Sequence, residues 1–291
     1  VRIEKCFSSW KRVNGGLPQG TKLGPLLFAV LVNSLLSNWQ GRIKFVDDAS
    51  VLEVIPRGSP SLLPLVVNEV NNFAINRGMI LNSKKCKEMR ISFLKYCVFN
   101  FDTIFVSGMA VEEVSSFKLL GVKLSDNLTW NSHIEFILKK ANSRLYALRL
   151  LKKAGLSQQD LIIIYCSFIR SCVEYASPVW SDLTVALSNL IESVQKRALR
   201  TIIPSLPYEE ALVVAGLETL SDRRHLACQK FINKLKSSDY TYSNPLADIL
   251  KCNFIDEQTE VMYDFRNNRV SSIQTFTERF ANFLTVKYFN S

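Results

Sequence analysis

The sequence predicts an α+β domain followed by an all-helical one. Through the first 130 positions, short apolar runs of strand character alternate with turn residues and one or two helical stretches. From residue 131 the apolar residues recur at steps of three and four, the period of helices. With 291 residues, 47% of them hydrophobic, the chain has enough apolar material for two or three domains. The expected divisions are residues 1–130, residues 131–236, and a C-terminal stretch, residues 237–291, that carries too little pattern to assign.

Taken in order, Gly15, Gly16 and Leu17-Pro18-Gln19-Gly20 make a loop in which backbone can approach a ligand closely. LGPLLFAVLVNSLL reads as a helix, with Pro25 tolerable only near its start. RIKFV alternates, placing Ile43 and Phe45 on one face, and SVLEVI resumes a β-rich run. Strand, tight acidic turn, strand is the simplest reading; it places Asp47 and Asp48 at a hairpin tip. SPSLLPLVVNEVNNFAINRG predicts a helix ending near Gly78, with Pro64 in its first turn. EMRISFL reads as a strand, and FKLLGVKLSDNLTW as two apolar stretches broken by Gly121 and by Ser125, Asp126 and Asn127.

Ile134, Ile137, Leu138, Ala141, Leu145 and Leu148 then form a helix stripe, capped at Asn131 or Ser132 and stopped at Gly155. Ser157 and Asp160 resemble a capping box before LIIIYCSFIRSCVEY. A third helix is expected from Val185 to Ile203, ended by Pro204, and a fourth from Ser221 to about Lys236.

Lys and Arg number 36 against 26 acids, for a net charge of +10, which suggests a polyanionic partner, with nucleic acid ahead of a membrane surface. Much of this charge lies in KKANSRLYALRLLKK. Lys139, Lys140, Arg144, Arg149, Lys152 and Lys153 share that stretch with no acid, and they repel unless a polyanion or solvent separates them. Tyr146 and Tyr165 have the spacing of core residues and the chemistry to stack on bases. The seven cysteines show no C-x-x-C spacing and only two histidines accompany them, so buried reduced thiols in an intracellular protein, nuclear or cytoplasmic, are expected rather than a zinc site. No run of 18 apolar residues or signal peptide is present, so no membrane partner is expected. The start VRIEKC, without methionine, reads as that of a fragment.

An Asp-Asp pair arises by chance about once in a chain this long, so Asp47 and Asp48 mean little alone. Their surroundings are more specific. GLPQGTKLGPLLF, then FVDD, then LNSKKCKE, then FKLLGV follow the order of a reverse transcriptase palm, and SSWKRVNGGLPQG, YASPVW and VQKRALRTII resemble non-LTR retrotransposon (LINE-type) polymerases of the jockey and chicken-repeat kind. The resemblance covers roughly residues 8–205. It implies a partial palm, an antiparallel sheet with helices, followed by a helical thumb. It also implies RNA-directed DNA synthesis, with an RNA template, a DNA primer and deoxynucleoside triphosphates as partners and two magnesium ions as cofactor. By that match Asp47 is a direct metal ligand and Asp48 its less engaged neighbour. Pro18, Gln19 and Gly20 flank nucleotide and template, Phe45 packs beneath the hairpin tip, and Lys85 protonates departing pyrophosphate, with Lys84 and Lys87 as rivals. FKLLGV grips the primer, and Lys139, Lys140, Arg144, Lys152 and Lys153 on the thumb hold duplex.

The chain also departs from the pattern. A further aspartate is required on a strand upstream of GLPQG, and the residues before Gly15 hold one acid, Glu4, with no match. Two adjacent carboxylates do not bracket two ions and a triphosphate, so this chain alone is expected to be inactive. The alternative is a catalytically inactive remnant that binds nucleic acid. Oligomeric state is not legible.

Overall fold

A computed structural model of the chain describes residues 2–3, 5–9, 16, 20–39, 41–56, 58–93 and 101–236. The chain divides into two units, Val1–Ser115 and Ser116–Ser291. The expectations for Pro18 and Gln19, and residues 237–291, lie outside the described residues.

In the first unit, β1 (Arg2–Ile3) and β2 (Cys6–Phe7) form a small antiparallel ribbon. Helix α1 (Leu23–Val32) follows, its Gly24 N–H donating to Thr21 Oγ1 at 3.2 Å, and Pro25 falls in the first turn, where no hydrogen bond is lost. Strands β3 (Arg42–Phe45) and β4 (Asp48–Val51) pair antiparallel, and the Phe45–Asp48 register leaves only Val46 and Asp47 as loop. Helix α2 (Leu63–Asn76) has Pro64 at its start. Glu53 caps it from outside, accepting from the Ser61 hydroxyl at 2.7 Å and the Leu62 N–H at 2.8 Å. Leu35, Leu36 and Val66 make a small core, with Trp39, Val51, Val70 and Phe73 packed against it. Strand β5 (Lys87–Glu88) pairs parallel with β8 (Glu112–Glu113), across the β6 (Phe105–Val106) and β7 (Met109–Ala110) hairpin.

Two expectations need correction here. Among the described residues of EMRISFL, 88–93, only Glu88 is in a strand, because β8 offers just two residues to pair with. Nor do the described residues join into the expected antiparallel sheet. Among the described residues the strands make five separate two-stranded ribbons, one of them parallel, and strands of two to four residues bury too little to assemble further.

The second unit opens with a hairpin, β9 (Ser116–Leu119) and β10 (Val122–Ser125), which the sequence reading had grouped with the strands before it. Helix α3 (Asn131–Lys153) begins one residue after its N-cap Trp130, not after Asn131 or Ser132, and buries Ile134, Ile137, Ala141, Leu145 and Leu148. Ser157 caps α4 (Gln158–Ile164) as expected, its Oγ accepting from the Asp160 N–H at 3.2 Å. The next stretch is less regular than the sequence predicts. A π-helical turn, Tyr165–Arg170, leads into α5 (Ser171–Glu174), and α6 (Ser177–Trp180) follows a left-handed Ala176. Helix α7 (Val185–Ile202) lies against α3, and α8 (Tyr208–Ala215) and α9 (Leu220–Lys236) complete the unit.

One apolar core joins these helices, with Trp180, Tyr165 and Ile191 fully buried. A polar chain runs through it. Tyr165 OH donates to Gln195 Oε1 at 2.6 Å, Gln195 Nε2 donates to Tyr208 OH and to the Glu218 carbonyl, and Tyr208 OH donates to Glu192. Burial raises the pKa of both tyrosines, so they stay neutral donors. The five described cysteines are free thiols, of which Cys172 and Cys228 are buried. Among the described residues no helix is long and apolar enough to cross a membrane.

Candidate functional site

The β3–β4 hairpin is held by its charged face. Arg42 Nη1 donates to the Leu35 carbonyl at 2.7 Å, and Lys44 Nζ donates to the Val32 and Asn33 carbonyls at 2.9 and 2.8 Å, where α1 ends. These cations satisfy carbonyls that a helix end leaves open and oppose its negative pole. Burial, and secondarily the neighbouring Arg42, lowers the pKa of Lys44. At the hairpin's base, Leu52 N–H donates to the Gly41 carbonyl at 2.7 Å. A Cβ at Gly41 would stand 2.0 Å from the Leu52 oxygen, so only glycine fits.

The opposite face is apolar and exposed. Ile43 and Phe45 do share it, as the alternation predicts, but Phe45 is 57% exposed. It therefore does not pack beneath the tip, since among the described residues no element covers that side. Val46 sits at φ 54°, a conformation β-branched residues avoid, so the tip carries local strain. Asp47 lies in this two-residue turn and Asp48 opens β4, both exposed.

Carboxylate oxygens suit a hard cation such as magnesium. Among the described residues, no group of three His, Cys, Asp or Glu side chains comes together to hold a metal. The tip thus fits magnesium in kind and, among the described residues, offers two carboxylates.

Gly20, with φ 78°, lies in the turn just ahead of α1. Lys84 and Lys85 are exposed in the turn that precedes β5. Lys87 instead forms an ion pair with Glu112 across the β5–β8 ribbon, which separates it from its two rivals.

The basic residues of α3 do not form one face. Lys139, Lys140, Arg149 and Lys153 are exposed. Lys152 turns inward, its Nζ donating to the Thr201 and Ile202 carbonyls at the end of α7. Arg144 is half-buried, its guanidinium 4.2 Å from the Phe168 ring and hydrogen-bonded to the Phe168 carbonyl. Both thus have partners within the fold, and both lie on or beside the stripe that packs inward. Tyr165 is core, and Tyr146 is exposed. Arg42 and Lys44 were missed as positioning residues, since alternation gives the face of a strand residue but not what covers it.

Residues 2–124 match the family model described as "Reverse transcriptase (RNA-dependent DNA polymerase)", and residues 130–171 match one described as "Alkylated DNA repair protein alkB homolog 8, N-terminal". The chain is 22% identical over 215 residues to the "RNA-directed DNA polymerase from mobile element jockey" of Drosophila funebris, covering 69% of this chain and 23% of that protein. The jockey protein of Drosophila melanogaster is 22% identical, over 81% of this chain and 27% of its own length. The "Probable RNA-directed DNA polymerase from transposon BS" of the same species is 23% identical, over 69% and 24%. The chain thus spans about a quarter of the length of these relatives. No solved structure matches.

Proposed function

We infer that this chain, a relative of LINE-type reverse transcriptases through its residues 2–124, is the palm and thumb portion of an RNA-directed DNA polymerase. The observation that carries this is the pair Asp47 and Asp48, exposed at a strained two-residue turn on a hairpin pinned to the end of α1. Asp47 and Asp48 would hold magnesium, which at such sites activates a primer 3′-hydroxyl and stabilises charge on the attacking and leaving oxygens. Arg42 and Lys44 fix the direction of the hairpin. Gly20 and its loop border the incoming nucleotide, and Lys85 gives its proton to departing pyrophosphate. Lys139, Lys140 and Lys153 meet the phosphates of the RNA template and DNA primer. The five described cysteines, all free thiols, suit a reducing intracellular compartment, nuclear or cytoplasmic.

Primer extension on an RNA template with magnesium tests this. The chain is assayed alone, as Asp47→Ala, and joined to the upstream segment of a jockey-type relative. Synthesis is expected only from the joined protein and is lost on Asp47→Ala. A folded joined protein that synthesises nothing overturns the polymerase reading. The second reading, a nucleic-acid binder without catalysis, is favoured by the exposed cations Lys139, Lys140 and Lys153 of α3. It predicts binding with steep salt dependence in that same outcome.

A further inference from the structure

A cavity of about 290 Å3 opens within the second unit, between the β9–β10 hairpin, α3 and α5. Among its described lining residues are three cations, Lys118 from β9 and Lys140 and Arg144 from α3, and no acid.

Its walls are held in place. Leu120 and Gly121, at φ 46° and 89°, form the left-handed turn of the hairpin. Tyr175 OH donates to the Leu120 carbonyl at 2.8 Å, and its ring stands 2.8 Å from where a Gly121 Cβ would be. On the other side the Phe168 contacts fix Arg144. Lys118 Nζ lies 5.1 Å from the centroid of the Phe136 ring, so cation and aromatic face share one wall.

Three like charges around one cavity repel each other unless an anion enters. A phosphodiester brings one negative charge, whereas a terminal phosphate brings about 1.5 to 2 at neutral pH and more acceptor oxygens. Three cations match the second better. The Phe136 and Tyr175 rings add apolar surface beside the charges, which suits a sugar or base attached to the phosphate.

We propose that this cavity binds the phosphomonoester of a nucleotide, carried on the 5′-phosphorylated end of a nucleic-acid strand or on a free nucleoside monophosphate. The inference shares Lys140 with the polymerase reading and no residue of the Asp47–Asp48 hairpin, so either can fail without the other.

The test is fluorescence anisotropy with the full chain and a short single-stranded DNA labelled at its 3′ end, bearing either a 5′-phosphate or a 5′-hydroxyl. The phosphorylated strand is expected to bind about tenfold tighter, the worth of one charge-assisted hydrogen bond. The preference disappears in Lys118→Met/Lys140→Met and persists in Arg149→Met/Arg200→Met, whose two exposed cations do not line the cavity. Equal affinity for the two strands with the unaltered chain overturns the proposal. So does a preference that survives in Lys118→Met/Lys140→Met, or a loss there that falls equally on both strands, given a thermal melt matching the parent. Adenosine monophosphate as competitor separates the two sources: displacement assigns the free nucleotide, and failure to displace assigns the strand end.

Discussion

Replacing Lys152 by methionine separates the structural from the binding role of the α3 cations. Lys152 Nζ donates to the Thr201 and Ile202 carbonyls, the latter at 3.1 Å, and so closes the C-terminal end of α7. Methionine keeps the apolar stem and removes the charge. A hydrogen bond from a charged group is worth about 1.5–3 kcal/mol, and a cation at a helix C-terminus about 0.3–1 kcal/mol. The site is only half-buried, so water re-solvates the freed carbonyls, and the expected net loss is about 1–2 kcal/mol. For a helical unit of this size that lowers Tm by about 3–8 °C, read by circular dichroism at 222 nm. The salt dependence of nucleic-acid binding is expected to stay as in the parent. An unchanged melt together with a shallower salt slope would show that Lys152 meets phosphate after all.

Three other outcomes follow. Replacing Lys139, Lys140 and Lys153 by alanine flattens the slope of log affinity against log salt by about 0.7–0.9 per contacted phosphate, with the melt unmoved; an unchanged slope removes these residues from the interface. Burial pushes the pKa of His133 down to about 4, and its Nδ1 accepts from the Lys123 N–H at 3.1 Å. Unfolded, it titrates near 6.5, so its neutral form gives full stability above that pH, and stability falls by at most about 1.4 kcal/mol per unit as pH drops towards 4. His133→Asn keeps an acceptor and removes this slope, measured by urea unfolding at about pH 7, 6 and 5; an identical slope assigns it to other groups. Gly41→Ala forces a Cβ against the Leu52 carbonyl and opens the base of the hairpin, raising hydrogen exchange at the Leu52 amide about tenfold or more, while an unchanged rate refutes the close approach.

The helices of the second unit were legible where an element announces both ends. Thr184 and Pro204 bracket α7, and Ser157 with Asp160 opens α4. Helix α8 carried such signals as well, with Pro207 before it, Glu209 and Glu210 in its first turn and Gly216 at its stop, but its eight residues give too few periods to stand out. The π-turn at Tyr165 leaves no mark, because its apolar residues read as an ordinary helix. In the first unit the β3–β4 hairpin was legible, and the parallel pairing of β5 with β8 was not. The alternation of β3 puts Ile43 and Phe45 on one face, and the family resemblance implied that Phe45 packs beneath the tip, yet the half-covered face is the one bearing Arg42 and Lys44. Alternation distinguishes two faces and does not say which of them a neighbouring helix end will claim.

The basic stretch of α3 shows the same limit and a way past it. Counting its charges predicted one polyanion-binding face, but at 100° per residue those charges point in different directions. Lys152 is four residues after Leu148 and seven after Leu145, so it falls on the buried stripe and finds backbone carbonyls there. Arg144 is seven after Ile137 and three after Ala141, at the edge of that stripe, and meets Phe168. Lys139 stands opposite the core, and Lys140 lies on the flank that borders the cavity with Lys118. Angular position, which the sequence already contains, therefore divides one basic helix into a brace, an outward cation and a cavity wall. A charge count without that division assigns to nucleic acid what the fold uses itself.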